Sequence, residues 1–143
     1  RTMLVVNTPY TYGGNSPEGG FDCSGLIQWA VGGITERRLP RTTAQWAQSS
    51  NPVSGRDLLR GDFVFFNTLY EQQNNSWLFE ECLKHVHGDT VFVFEGIKTS
   101  RKMREFWREV CCHPEVTVTI DLYSMGIVFF NKKLHKRDYI VYF

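Results

Sequence analysis

An abrupt change of pattern at Cys23 constrains the fold of this chain more than any other feature of its sequence. The twenty residues that open the chain are punctuated by glycine and proline, which is typical of a loop. After Cys23, apolar residues recur at intervals of three and four positions, namely Leu26, Ile27, Ala30 and Val31. This spacing predicts an amphipathic helix that begins at Cys23 and ends at the pair Gly32-Gly33.

The remaining patterns predict further helices followed mainly by strands. A short helix is expected over 43–48 with Thr42 as its cap, and two more over 77–83 and 100–110. Apolar runs predict strands over 63–66, 90–94, 116–122, 126–130 and 139–143, and 52–62 has the composition of a turn-rich approach to the first of them. This order favours an α+β domain with an antiparallel sheet.

Length and charge narrow the classes of protein that this chain can be. A chain of 143 residues, 42% of them hydrophobic, can bury one core, so a single domain over 1–143 is predicted. The formal net charge of +1 indicates no basic surface for nucleic acid, and the basic stretch 132–137 is expected to be a solvated strand end or turn. No apolar run approaches the roughly 20 residues of a membrane span. The four cysteines lack the CxxC spacing of a zinc site, so no metal is expected.

A cysteine in the first turn of a helix is suited to nucleophilic chemistry. The N–H groups and dipole of a helix N-terminus stabilise a thiolate, which is the nucleophilic form of cysteine. The same N–H groups can stabilise the oxyanion that forms when a carbonyl is attacked. The alternative is that Cys23 is a small buried hydrophobic residue, which is the commoner fate of a lone cysteine.

Four motifs that follow one another along the chain favour the catalytic role of Cys23 over that alternative. PYTYGG, GGFDCSGLIQWA, LPRTTAQW and LLRGDFVFF closely resemble the NlpC/P60 family of papain-like cysteine peptidases, over about residues 9–67. The resemblance implies a papain-like α+β fold in which the nucleophile helix packs on an antiparallel sheet. Residues 68–143 do not otherwise resemble the family, which indicates a divergent branch, an insertion or a joined segment.

The resemblance also implies roles for individual residues. Cys23 matches the family's nucleophile. The residues that match substrate-binding positions are Tyr10, Tyr12, Asp22 and Ser24, and Tyr10 is the preferred match of the two tyrosines, although either could simply pack the wall of the site. Arg41 and Thr42 match a segment that is expected to be structural.

The catalytic base has two candidate positions. A cysteine peptidase needs a group that takes the thiol proton and returns it to the leaving amine. In the first alignment, His85 or His87 is that base, and the later strands are ordinary sheet. In the second, Ser124-Met125-Gly126-Ile127 matches the family's His-Val-Gly-Ile, so that serine replaces the base, and His135 follows at about the spacing of the family's orienting group.

These alternatives lead to different functions. The first implies hydrolysis of an amide in a short peptide, most often the γ-D-glutamyl–diamino acid bond of peptidoglycan stem peptides, by a monomer in the cell envelope or outside the cell, without a metal or organic cofactor. The second implies a catalytically inactive module that binds cell-wall peptides or a protein. A third possibility is acyl or amide transfer to another substrate, because the same thiol and imidazole serve several reactions.

Overall fold

The computed structural model describes residues 8–33, 39–51, 63–66 and 75–141. The chain forms two compact units: an N-terminal unit that runs to Ser50 and a C-terminal unit from Asn51 to Tyr142. Within the described residues, no helix combines the length and the apolar character needed to cross a membrane. A single domain over 1–143 would include both units, and so would the packing of the nucleophile helix on the sheet. Both stay predictions.

The N-terminal unit contains two helices and a short ladder. Helix α1 spans Cys23–Gly32, as the periodicity predicts, and α2 spans Thr43–Ser49. Ahead of α1 lies an antiparallel ladder of β1 (Asn15–Ser16) and β2 (Gly20–Phe21), within the segment that was predicted to be loop. The first residue of β2 has a φ of +87°, a left-handed conformation that glycine adopts without strain.

Polar residues cap both of these helices. Asp22 precedes α1 in an extended conformation, and its carboxylate accepts the N–H of Gly25 at 2.7 Å. Thr42 caps α2, as predicted, and forms a capping box with Gln45. Each cap satisfies a backbone N–H that has no partner inside the helix, and is worth about 1 kcal/mol. The starting points of both helices therefore follow from local sequence.

The C-terminal unit contains a five-stranded sheet of order β3-β4-β6-β5-β7. Its strands are β3 (Phe63–Phe66), β4 (Val91–Glu95), β5 (Val118–Asp121), β6 (Met125–Phe129) and β7 (Arg137–Ile140). Strand β6 is antiparallel to β4 and β5, but β3 is parallel to β4, and β7 is parallel to β5. The prediction of an antiparallel sheet is therefore wrong in two of the four pairings. Between β3 and β4 the chain passes through helix α3 (Asn75–Leu83), and such a crossover lets the next strand run in the same direction.

An aromatic core fills the C-terminal unit. Helix α4 (Arg101–Cys112) buries Met103, Phe106, Trp107 and Val110, which are spaced three and four residues apart. The ring of Phe94 on β4 is completely buried and lies 4.3 Å from that of Phe66 and 5.6 Å from that of Phe106. A Cβ at Gly126 of β6 would overlap the Trp107 ring, so glycine is required where this helix meets the sheet.

The α+β class is confirmed, and the predicted helices are all present with boundaries within two residues. The strand predicted over 116–122 is shorter, and the last strand lies at 137–140 rather than 139–143. The turn-rich segment 52–62 and the final residues 142–143 lie outside the described residues.

Candidate active site

Cys23 is the first residue of α1, and its side chain is only partly buried. All four cysteines of the chain are thiols. Burial raises the pKa of Cys82, and it raises the pKa of Cys111 to about 11 despite a hydrogen bond to Thr119. Thiols that are kept protonated by burial are poor nucleophiles. Cys23 differs from them because it combines partial exposure with a helix N-terminus.

The carboxylate of Asp22 organises the turn that carries Cys23. Oδ1 accepts the N–H of Gly25 at 2.7 Å and the hydroxyl of Ser24 at 3.1 Å. Oδ2 accepts the N–H of Gly13 at 3.0 Å. The guanidinium of Arg41 binds both oxygens, Nη1 to Oδ1 at 2.9 Å and Nη2 to Oδ2 at 2.7 Å. One side chain therefore joins the loop before α1, the first turn of α1 and the segment before α2.

These contacts decide the charge of Asp22. Burial alone would raise the pKa of its carboxyl, but the hydrogen bonds from Arg41 and Gly25, the positive charge of Arg41 and the N–H of Gly13 outweigh that effect and hold the pKa below its usual value. The hydrogen bond and charge of Asp22 in turn raise the pKa of Arg41. The pair is therefore ionised across the physiological pH range.

The loop before α1 places the two candidate tyrosines differently. The N–H of Thr11 donates to the carbonyl of Phe21 at 3.0 Å, which holds this loop next to the start of the helix. Burial, and then the negative charges of Cys23 and its neighbouring carboxylate, raise the pKa of Tyr10. Tyr10 is 44% exposed, whereas Tyr12 is 92% exposed. Tyr10 is thus the tyrosine that lies within electrostatic reach of the thiol.

All four histidines of the chain lie at one end of the sheet in the C-terminal unit. They are His85, His87, His113 and His135. Val91, the first residue of β4, is paired with Phe129, the last of β6, and Phe129 is also paired with the first residue of β5. The segments that precede β4, precede β5 and follow β6 therefore meet at this end, and they carry the four imidazoles. We call it the histidine end.

Ser124 lies at the opposite end of the same sheet. It precedes Met125, which is paired with Glu95, the last residue of β4, and its carbonyl accepts the N–H of Gly96 at 2.6 Å. The length of β4 separates it from the histidine end, roughly 13 Å at about 3.3 Å per residue. The expectation that His135 could orient a group at position 124 is wrong, because β6 carries the chain from one end of the sheet to the other between them.

The histidines differ in their surroundings. His113 is engaged by its neighbours: Nδ1 accepts the N–H of Glu115 at 3.2 Å, and Nε2 lies 3.5 Å from Oε1 of Glu80. His85 is partly buried, and His87 is exposed beside a cavity of about 370 Å³. Residues 130–133, which follow β6, line the same cavity. In the parts of the chain that the structure describes, no three His, Cys, Asp or Glu side chains are grouped to hold a metal ion.

Comparison with known proteins identifies the family. The profile of the NlpC/P60 family matches residues 7–115. The chain belongs to the NlpC/P60 family. The matched region of this NlpC/P60 chain includes Cys23, His85, His87 and His113 and ends before Ser124. No solved structure matches the chain significantly.

Several curated relatives resemble this NlpC/P60 chain. It is 48% identical over 73 residues to the bifunctional muramidase/DL-endopeptidase CwlT of Bacillus subtilis, covering 50% of this chain and 21% of the relative. It is 34% identical over 116 residues to the probable endopeptidase YafL of Escherichia coli, covering 76% of this chain and 44% of the relative. For the probable endopeptidase NlpC of E. coli the identity is 30% over 103 residues, covering 71% and 64%. The chain thus spans less than two thirds of each of these relatives.

The sequence-predicted site residues are divided between the two units. Tyr10, Asp22, Cys23 and Ser24 share the N-terminal unit, whereas His85 and His87 belong to the C-terminal unit. Arg41, for which the family resemblance implies a structural role, is bound to both Asp22 and Ser24. Arg41 lies nineteen positions after Asp22, so no local sequence signal pairs them, and only the fold reveals which atoms bond.

Proposed function

We propose that this NlpC/P60 chain is a cysteine endopeptidase that hydrolyses an amide bond in short peptides. The observation that carries the proposal is the partly exposed thiol of Cys23 at the start of α1, beside Tyr10 and the ion pair of Asp22 with Arg41. Relatives named as a DL-endopeptidase, a murein DD-endopeptidase and a gamma-DL-glutamyl hydrolase support a role as a peptidase acting on peptidoglycan.

Within that class we propose the γ-D-glutamyl–diamino acid bond of peptidoglycan stem peptides as the substrate. DL- and DD-endopeptidases both occur among the relatives, so this choice of bond rests on the family resemblance and on the DL-specific names. Such a substrate places the protein in the cell envelope or outside the cell, where we propose that it acts as a monomer. The family match covers residues of both units and supports one papain-like catalytic domain built from them.

The reaction uses a thiol and an imidazole of the chain together with one water molecule. The Cys23 thiolate attacks the amide carbonyl carbon, and the proton that the thiol has given up resides on an imidazole. That imidazolium protonates the leaving amine as the C–N bond breaks, which leaves a thioester. The same imidazole then deprotonates a water molecule, which attacks the thioester, releases the carboxylic acid and restores the thiol.

The base in this mechanism has to come from the histidine end, because all four imidazoles of the chain lie there. We propose His85 or His87; the region that matches the family covers both of them and His113. His113 is less suited to act as the base, because its Nδ1 already accepts a hydrogen bond from the N–H of Glu115.

Peptide hydrolysis tests the function directly. The whole chain is incubated with L-Ala-γ-D-Glu-diamino acid peptides, and the products are measured by mass spectrometry. Cys23→Ala should lower turnover by at least about a thousandfold, and loss of the true base by about 10²–10⁴-fold. Cys112→Ser removes an exposed thiol of the C-terminal unit and should leave turnover unchanged. Hydrolysis that survives Cys23→Ala would refute the proposal.

A binding module is the second candidate, and Ser124 favours it. In the second alignment this serine, just before β6, replaces the family's histidine. It lies at the end of the sheet that carries no histidine among the described residues. A protein of this kind would bind the same peptides in calorimetry without cleaving them. If the amide bond of the peptide is broken and its acyl group moves to an added amine rather than to water, the reaction is acyl transfer.

A further inference from the structure

The guanidinium of Arg41 makes more contacts around Cys23 than an ordinary surface ion pair requires. Nη1 donates to Oδ1 of Asp22 at 2.9 Å and to the hydroxyl of Ser24 at 3.0 Å. Nη2 donates to Oδ2 of Asp22 at 2.7 Å and to the carbonyl of Gly14 at 2.9 Å. These four bonds reach the residues on both sides of Cys23 and the loop that passes over them. The position of the cysteine backbone is therefore fixed from outside its own helix.

All hydrogen-bond acceptor sites of the Asp22 carboxylate are occupied. Asp22 accepts five hydrogen bonds, two of them from Arg41. A carboxylate offers about four lone-pair sites, so these donors saturate it. Its side chain is only 12% exposed, and removing Arg41 would leave a largely buried negative charge directly beside Cys23.

That neighbouring charge matters to the chemistry of the thiol. A carboxylate close to a cysteine disfavours the thiolate, whereas a guanidinium favours it. Among the described residues of the N-terminal unit, the charged or titratable groups beside Cys23 are Asp22 from the helix cap, Tyr10 from the preceding loop and Arg41 from the segment before α2. Arg41 is the positive group of the three, and Cys23 contributes to the raised pKa of Arg41, which places the two within electrostatic reach.

We infer that Arg41 is a positioning residue for the nucleophile: it holds the start of α1 in place and offsets the Asp22 charge beside Cys23. This inference rests on the proposed function where it concerns catalysis. The effect of Arg41 on the Cys23 thiol does not depend on that function. Lysine would not replace Arg41 fully. A single ammonium group cannot form two parallel hydrogen bonds to the two carboxylate oxygens and also reach Ser24 and Gly14.

The test measures the pH dependence of Cys23 alkylation in the whole chain. Iodoacetamide is added across a pH series, and mass spectrometry of the Cys23 peptide gives the rate and the pH of half-maximal rate. Arg41→Gln should raise this midpoint by about 0.5–1.5 pH units, and so slow alkylation below it by about 3- to 30-fold. Asp22→Asn combined with Arg41→Gln should return the midpoint towards the parent value, because both opposing charges are then gone.

Two further variants separate positioning from general stability. Arg101→Gln removes the same side chain from an exposed position on α4 and should leave the midpoint unchanged. Arg41→Lys should give a midpoint between those of the parent and Arg41→Gln. If Arg41→Gln does not fold, Arg41→Lys decides alone: a raised midpoint supports the inference, and a parental midpoint overturns it.

The outcomes also separate this inference from the proposed hydrolysis. A folded Arg41→Gln protein with the parental midpoint overturns the inference even if peptide cleavage is observed. A shifted midpoint that the second substitution does not reverse also overturns it, because the shift would then not come from the Asp22 charge. A reversible shift in a protein that cleaves no peptide supports the positioning role and refutes the endopeptidase.

Discussion

Two glycines in the nucleophile helix provide a matched test of how closely α1 is packed. An ideal Cβ at Gly25 would overlap the carbonyl oxygen of Gly14 and lie 3.0 Å from Oδ1 of Asp22 and 3.2 Å from Cα of Asn15. At Gly32, in the last turn of the same helix, nothing lies within 4 Å of such an atom. Helix propensity treats the two positions alike, so any difference between them reports the packing at Gly25.

The expected signs are opposite. Glycine to alanine in a helix gains up to about 1 kcal/mol from propensity, so Gly32→Ala should raise the free energy of unfolding by roughly 0.5–1 kcal/mol. At Gly25 the overlap is with backbone, which has no rotamer to move away, and overpacking costs about 1–3 kcal/mol. Set against the propensity gain, Gly25→Ala should be destabilising by about 1 kcal/mol. Because the propensity gain is common to both positions, the two variants should differ by the overpacking cost, about 1–3 kcal/mol.

Urea unfolding followed by circular dichroism and tryptophan fluorescence measures both changes. Because the shifted backbone carries the nucleophile, Gly25→Ala should also slow Cys23 alkylation, whereas Gly32→Ala should not. If Gly25→Ala is as stable as Gly32→Ala, α1 does not approach the loop at Gly14 as closely as described. The contacts of Asp22 with that loop would then also be incorrect.

Three shorter predictions follow from burial and charge. The lowered pKa of Asp22 contributes stability that is complete above its unfolded value of 3.8 and is lost as the pH falls through the lower folded value, so acid unfolding curves should show this loss and Asp22→Asn should abolish it. Phe94→Ala removes a completely buried ring and should lower the free energy of unfolding by about 3–5 kcal/mol in urea titrations, and a change below 1 kcal/mol would contradict the core described for the C-terminal unit. With a thiol pKa of about 11, Cys111 should be alkylated much more slowly at pH 8 than the exposed Cys112 beside it, and equal rates by peptide mapping would show that Cys111 is not protected.

Local signals predicted most of the secondary structure. The helix at Cys23 and the cap at Thr42 follow from apolar spacing and from side chains that bond their own neighbours, and both are confirmed. The ladder of β1 and β2 escaped prediction because each strand has only two residues and no apolar alternation. The direction of β3 relative to β4 escaped it because strand pairing depends on how the intervening chain returns, and not on the residues of the strand.

The sequence by itself determined the family, the position of Cys23 at a helix start and the presence of a buried sheet, because motifs and periodicity are properties of residues near one another in the chain. Only the tertiary structure decided that Arg41 binds Asp22 across eighteen intervening positions, and that Ser124 and the four histidines occupy opposite ends of one sheet. The reason is physical: a hydrogen bond or a strand pairing forms between groups that the folded backbone brings within a few ångströms, and distance along the chain does not measure that separation.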